Sequence, residues 1–138
     1  MSGFSVRELK ESDFKNLQKW WKWWRFGDVH RFMIPDDIRS SVMVQIDGVD
    51  ACCGFIYPTG ASKLFHIEFI VSNPDLKDKK KRKMVIDLTV KMLIETCKDM
   101  GAVIIYTNLK NHHLIEYLKN NGFIVGSGNT QEMVYLNV

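Results

Sequence analysis

No apolar stretch in this 138-residue chain approaches the roughly 20 residues that a membrane-spanning helix needs, so no such helix is expected. A secretory leader is not expected either, because Glu8, Lys10, Glu11 and Asp13 interrupt any apolar core near the start. Cysteine is scarce: the 3 present, Cys52, Cys53 and Cys97, are odd in number. Their spacing suits neither a disulfide framework nor a metal site, so a reducing, cytoplasmic setting is expected and no metal. No sign of charge dominates. A net charge of +3 excludes a globally basic nucleic-acid binder. There is no repeat and no linker, so residues 1–138 read as a single domain, long enough to bury a core.

The positive charge is instead local. Residues 73–83 read Asn-Pro-Asp-Leu-Lys-Asp-Lys-Lys-Lys-Arg-Lys, a proline-marked turn followed by a basic run that opens a helix. Cationic side chains and free backbone N–H groups at a helix N-terminus suit a phosphate-bearing ligand. A solvated helix end, or a patch that meets nucleic acid, is the plainer reading of the same lysines.

Hydrophobic patterning places this run. Residues 4–9 alternate and read as a strand. Asp13 is the expected N-cap of a helix carrying Phe14, Leu17, Trp20, Trp21 and Trp24, with Gly27 ending it. Residues 41–46 and 49–57 read as a hairpin around Asp47-Gly48. Residues 64–71 form a fourth strand, with Phe65, Ile67 and Phe69 expected on one face and His66, Glu68 and Ile70 on the other. A long amphipathic helix over about residues 80–100 carries Ile86, Val90, Leu93, Ile94 and Cys97, and Gly101 ends it. Then come a short strand at 103–106, a second helix at 111–121, and closing strands at 123–125 and 132–136 joined by Gly126-Ser127-Gly128-Asn129. The order is strand, helix, three-strand meander, helix, strand, helix, two strands. It implies an α/β chain with a mixed sheet and helices on both faces.

This order, over nearly the whole chain, resembles the GNAT superfamily of N-acetyltransferases. Val71-Ser72-Asn73-Pro74 resembles the end of that family's fourth strand, and the basic run stands where its pyrophosphate loop stands. Asn111 followed by Gly122-Phe123, and Thr130-Gln131-Glu132-Met133, resemble its later helix and last strand. The Trp-rich first helix, Asn-Pro, a basic loop without glycine and Gly-Phe together resemble small viral and bacteriophage members. The resemblance implies a mostly antiparallel, twisted sheet of six to seven strands. It also implies acetyl-CoA as cofactor, with Phe69, Ile70 and Val71 on the pantetheine. Lys79, Lys80, Lys81, Arg82, Lys83 and Met84 would cradle the pyrophosphate, and Asn111 would approach the later part of the cofactor. There are two departures from the pattern. Met84 and Ile86, or their neighbours, stand where the family carries glycines, so Lys and Arg side chains must bind more of the phosphate. Leu118 stands where some members carry an acidic tyrosine, with Tyr117 one residue away and turned by about 100°.

Transfer of an acetyl group to an amine needs the amine neutral, so a proton acceptor is required. Glu68 is the expected base, on the strand beside the thioester, and His66 on the same face is the alternative. A backbone N–H near Ile70 or Val71 would polarise the thioester oxygen. Tyr117, Tyr106 or water would assist the leaving thiolate. Trp20 and Trp24 share a helix face, Trp21 adjoins it and Trp23 points elsewhere, towards an acceptor pocket or a partner. Arg25, Asp28, His30, Arg31, Asp36 and Asp37 could line that mouth.

The resulting expectation is direct, ternary-complex transfer from acetyl-CoA to a primary amine, carried on a small molecule or a protein. No membrane is involved, and nucleic acid is not the expected partner. A homodimer is compatible, and a viral member would act in the host cytoplasm. The alternative is a non-catalytic viral accessory protein that binds a protein partner through the Trp-rich first helix.

Overall fold

The computed structural model describes residues 3–109 and 111–137. The first strand, β1 (Phe4–Glu8), lies antiparallel to β2 (Val42–Ile46), which forms a hairpin with β3 (Val49–Pro58). Asp47 and Gly48 both take positive φ at the hairpin tip, 51° and 79°. That is the turn whose twist matches two right-twisted strands, and glycine adopts it without a Cβ clash. Next, β4 (Leu64–Ser72) returns antiparallel to β3. The long helix α2 (Lys79–Asp99) then crosses over to β5 (Ile104–Tyr106), which runs parallel to β4. The sheet order is β1-β2-β3-β4-β5.

Each face of the sheet has its own helix. On one face Val85, Val90, Leu93 and Cys97 of α2 pack on Val44, Cys52, Ile56, Phe65, Ile67 and Ile70. The short α3 (His112–Asn120) adds Leu118 to this core. On the other face α1 (Phe14–Trp23) sets Leu17, Trp20 and Trp21 against Met43, Cys53, Phe55 and Val71. Val29, Ile34 and Ile38 from the following loop complete that layer. Arg7 of β1 ties the entry to α1 down by reaching both Asp13 and Asp50 at 2.8 Å. Burial works to raise the Asp13 carboxyl. The Arg7 hydrogen bonds, the Lys10 backbone N–H and the attraction of both cations outweigh it, and the carboxyl is held below the usual range.

Three expectations change. Asp13 stands at the N-cap position of α1, as expected, but makes no side-chain capping bond to that helix; its carboxylate accepts the Lys10 backbone N–H at 2.8 Å, closing the 3-10 turn at Glu11–Asp13 instead. The helix ends at Trp23 rather than at Gly27. Arg25 takes the left-handed position (φ 62°), and the Phe26 N–H reaches back to the Trp21 carbonyl at 2.9 Å. The closing strands at 123–125 and 132–136 do not form, so the sheet has five strands rather than six to seven. A three-residue β5 offers few ladder bonds. Ordering each added residue costs about 1–2 kcal/mol of backbone entropy, which the polar 126–131 stretch does nothing to offset. Among the described residues no helix is long and apolar enough to cross a membrane.

At Gly54 the sheet and α2 leave no room for a side chain. A Cβ there would meet Leu93 Cδ1 at 2.6 Å and Ile70 Cγ1 at 3.0 Å. Gly54→Val should therefore cost about 1–3 kcal/mol by overpacking. Chemical denaturation measures it, and an unchanged midpoint would mean that α2 does not press on the sheet at this point.

Candidate functional site

The fourth strand is irregular where it matters. Phe55 pairs with Glu68 but Cys53 pairs with Val71, so two residues of β4, Phe69 and Ile70, stand opposite one of β3, Gly54. The extra residue is accommodated at Phe69, whose φ is +58°. This is a β-bulge, and it shifts the alternation of side chains by one. Phe65, Ile67 and Ile70 face α2, whereas Phe69 faces α1 with Phe55 and Val71. The expected grouping of Phe69 with Phe65 and Ile67, and of Ile70 with His66 and Glu68, is thereby corrected.

Tryptophans of the first helix hold the bulge. The Trp21 indole donates to the Phe69 carbonyl at 3.3 Å and its ring meets Phe69 edge-on at 5.7 Å. Beyond the helix end, Trp24 donates to the Ser72 carbonyl at 2.8 Å. An i, i+3 pair thus bonds two carbonyls three residues apart on one strand.

On its other side β4 is mostly unpaired. β5 matches only Leu64, Phe65 and His66, with Ile104, Ile105 and Tyr106 beside them. From Ile67 to Ser72 no strand among the described residues lies against that edge, and the chain runs on towards the start of α2. The result is an open seam whose far end is cationic.

At that end Lys79, Lys80, Lys81, Lys83 and Met84 are exposed. Two further features were not read from the sequence. Asp78 caps α2, and its Oδ1 accepts the backbone N–H groups of Lys80 and Lys81 at 3.0 and 3.1 Å. The helix therefore satisfies two of its own first-turn donors, which were expected to be free. Arg82 is also engaged. Its guanidinium donates to the Leu76 carbonyl at 3.0 Å and lies 5.7 Å from the Trp24 ring. Lys77 sits 5.1 Å over Trp23, so that ring adjoins the basic loop. The signal for the cap was an Asp immediately before the helical lysines.

Polar groups gather on the α1 face of the seam. His66 Nε2 and Glu68 Oε2 are 2.5 Å apart. Tyr57, which pairs with His66 across the β3–β4 ladder, sets its ring edge-on to the imidazole at 5.8 Å. Its hydroxyl donates to the Met33 carbonyl at 2.8 Å, and burial followed by the Glu68 charge raises its pKa well above the ordinary phenol range. Tyr106 is in register with His66 on the other flank and is exposed. Sequence reasoning missed Tyr57, although the Pro58–Gly60 turn fixes that pairing.

Other sequence-derived candidates lie elsewhere. Tyr117 of α3 packs with the α2-side core, and burial with the nearby Asp87 raises its phenol. Together with Lys83, His113, Glu116 and Asn120 it lines a groove of about 280 Å³. Asn111 caps α3, its Oδ1 accepting from the His113 and Leu114 N–H groups at 2.9 and 3.3 Å. The Cys52 thiol is fully buried and pushed up to about 12 by desolvation, which makes it a poor nucleophile. Among the described residues no cluster of His, Cys, Asp and Glu could hold a metal.

No protein-family model matches the chain, and no curated protein matches it in sequence. Solved structures do match. N-acetylglutamate synthase from Neisseria gonorrhoeae, complexed with coenzyme A and N-acetyl-glutamate, superposes with a TM-score of 0.69 over 90% of this chain, at 14% identity. A putative acetyltransferase from Salmonella typhimurium, with acetyl-CoA, gives 0.65 over 91% of this chain and 82% of its own, at 11% identity. A putative acetyltransferase from Agrobacterium tumefaciens gives 0.62 over 94% of this chain and 99% of its own, at 14% identity.

The chain has the GNAT fold.

It spans only 29% of the synthase chain but nearly all of the Agrobacterium protein. At these identities the likeness speaks for the architecture of the seam and not for its ligand.

The chemistry of the seam is nevertheless specific. An unpaired strand edge bonds an extended ligand bearing amide groups, and a cationic helix start attracts phosphates. The Asp78 carboxylate opposes the second of these. Asp78→Ser keeps a good N-cap while removing the charge. Calorimetric titration with inorganic pyrophosphate should show several-fold tighter binding to this variant. Equal affinity would mean that the phosphate site lies away from the helix start.

Proposed function

We propose that this protein is an acetyl-CoA-dependent N-acetyltransferase acting on a primary amine by direct transfer within a ternary complex. The observation that carries the reading is the seam itself: β4 leaves β5 after His66, bulges at Phe69 and delivers its open edge to a lysine-rich helix start. The residues present fit acetyl-CoA. The open edge of Phe69, Ile70 and Val71 would bond the pantetheine amides. Lys79, Lys80, Lys81 and Lys83 would meet the pyrophosphate, with Arg82 joining when it leaves the Leu76 carbonyl. Met84 would lie against the cofactor as an apolar neighbour, and Asn111 would act from the start of α3. Bound acetyl-CoA supplies an acyl group activated as a thioester.

The chain's own residues do the rest. Backbone N–H groups near the bulge, at Ile70 or Val71, would hold the thioester oxygen. The half-buried pair of Glu68 and His66 would supply the proton acceptor. Tyr106, exposed and in register with His66, would assist the leaving thiolate. Tyr117 would act from the α3 side. The amine would enter from the α1 face, past Met33 and the exposed Phe32.

One set of observations favours a second reading, a partner-binding protein that no longer transfers acetyl groups. Asp78 occupies the helix donors, and Trp23, Phe26 and Phe32 present exposed aromatic rings near α1. The two readings differ in the cofactor. Isothermal titration with acetyl-CoA should show saturable binding that weakens as salt is raised, because lysines supply most of the phosphate contact. Absence of binding at millimolar acetyl-CoA would overturn the acetyltransferase reading in favour of the second.

A further inference from the structure

We infer that His66, not Glu68, takes the proton from the amine, and that Glu68 is the positioning residue that fixes the imidazole. The inference deepens the acetyltransferase reading and rests on it for the reaction, though not for the pairing. The two side chains stand two residues apart on one face of β4, each about 30% exposed, with Nε2 and Oε2 2.5 Å apart. A carboxylate only accepts hydrogen bonds, so Nε2 must carry the hydrogen. In the neutral ring Nδ1 is then the bare acceptor. Among the described residues nothing hydrogen-bonds to Nδ1. Glu68 has spent one oxygen on the ring, whereas the lone pair of Nδ1 is uncommitted, and imidazole is the commonest general base for a proton transfer of this kind.

The surroundings hold the ring in this orientation. Tyr57 of β3 packs edge-on against it, with its own hydroxyl committed to the Met33 carbonyl. Tyr106 of β5 flanks it in register. Tyr57, Glu68 and Tyr106 are the titratable groups that face His66 from the three strands, and Glu68 is the one charge among them. In the transfer, one proton passes from the ammonium nitrogen to Nδ1, and the freed nitrogen bonds the acyl carbon. The carbon–sulfur bond breaks and the sulfur leaves with a second nitrogen proton as a thiol. The third hydrogen stays on the amide, and the imidazolium returns its proton to water. Glu68 stabilises the imidazolium while it exists.

Nitrogen NMR of the ring in the cofactor-free protein tests the pairing, since only 4 histidines need assignment. The expected neutral form is the Nε2–H tautomer, and Glu68→Ala should release that preference, because the acceptor that holds the Nε2 hydrogen is gone. An Nδ1–H tautomer, or a tautomer unchanged by Glu68→Ala, overturns the proposal whatever the cofactor does. Kinetics test the assignment of roles. His66→Gln should lower kcat/KM about a hundredfold or more. Glu68→Gln should cost less. The reverse pattern, with Glu68→Gln silencing the enzyme and His66→Gln tolerated, restores Glu68 as the base. Failure of acetyl-CoA to bind, with the tautomer as expected, would sink the acetyltransferase reading and leave the pair standing.

Discussion

A phenylalanine held in left-handed backbone is the constraint on which the functional face of this protein depends. Such a conformation costs a non-glycine residue on the order of 1–3 kcal/mol unless its surroundings impose it. At Phe69 they do. The Trp21 indole bonds its carbonyl, and the rings of Trp21 and Phe26 enclose its side chain. The consequence is geometric. Without the extra residue, the strand beyond Glu68 would carry Phe69 towards α2 and Ile70 towards α1. The bulge instead keeps Glu68 and Phe69 on one face and bends the strand where it leaves β5. The aromatic first helix is therefore less a docking surface than a clamp, with Trp20 and Trp21 buried and Trp24 bonded to Ser72.

The basic end of the seam shows a competition. Lysine side chains create a positive field there, but two of the helix donors that would bond a phosphate at short range, those of Lys80 and Lys81, are already bonded to Asp78. A glycine-rich loop would bring backbone N–H groups to the phosphate. This loop brings mobile ammonium groups instead, and their contribution is the part that salt screens. Cation–aromatic contacts of Lys77 and Arg82 with Trp23 and Trp24 join this field to the clamp, so both ends of the seam lean on the same helix.

Much of this architecture was legible in the sequence because its signals are local. Asp47-Gly48 marks its hairpin by turn chemistry, and α2 announces itself by apolar spacing and Gly101. What failed was long-range. Strict alternation along β4 put Phe69 on the wrong face, because nothing within residues 64–72 reveals that Trp21 imposes a bulge. The pairing of Tyr57 with His66 depends on register across a turn. Residues 123–136 carry strand-like composition, yet β5 is too short to recruit them, and apolar pattern alone does not reveal ladder length. Asp78 was visible and was read as part of a charge run rather than as a cap.

The central claim is that the bulged, unpaired edge of β4 is where the ligand lies. Amide hydrogen exchange measured with and without saturating acetyl-CoA tests it most directly. Slowed exchange confined to the amides of Phe69, Ile70 and Val71 and to the first turn of α2 is the predicted result. Protection appearing elsewhere, with the β4 edge exchanging at its original rate, would contradict the account.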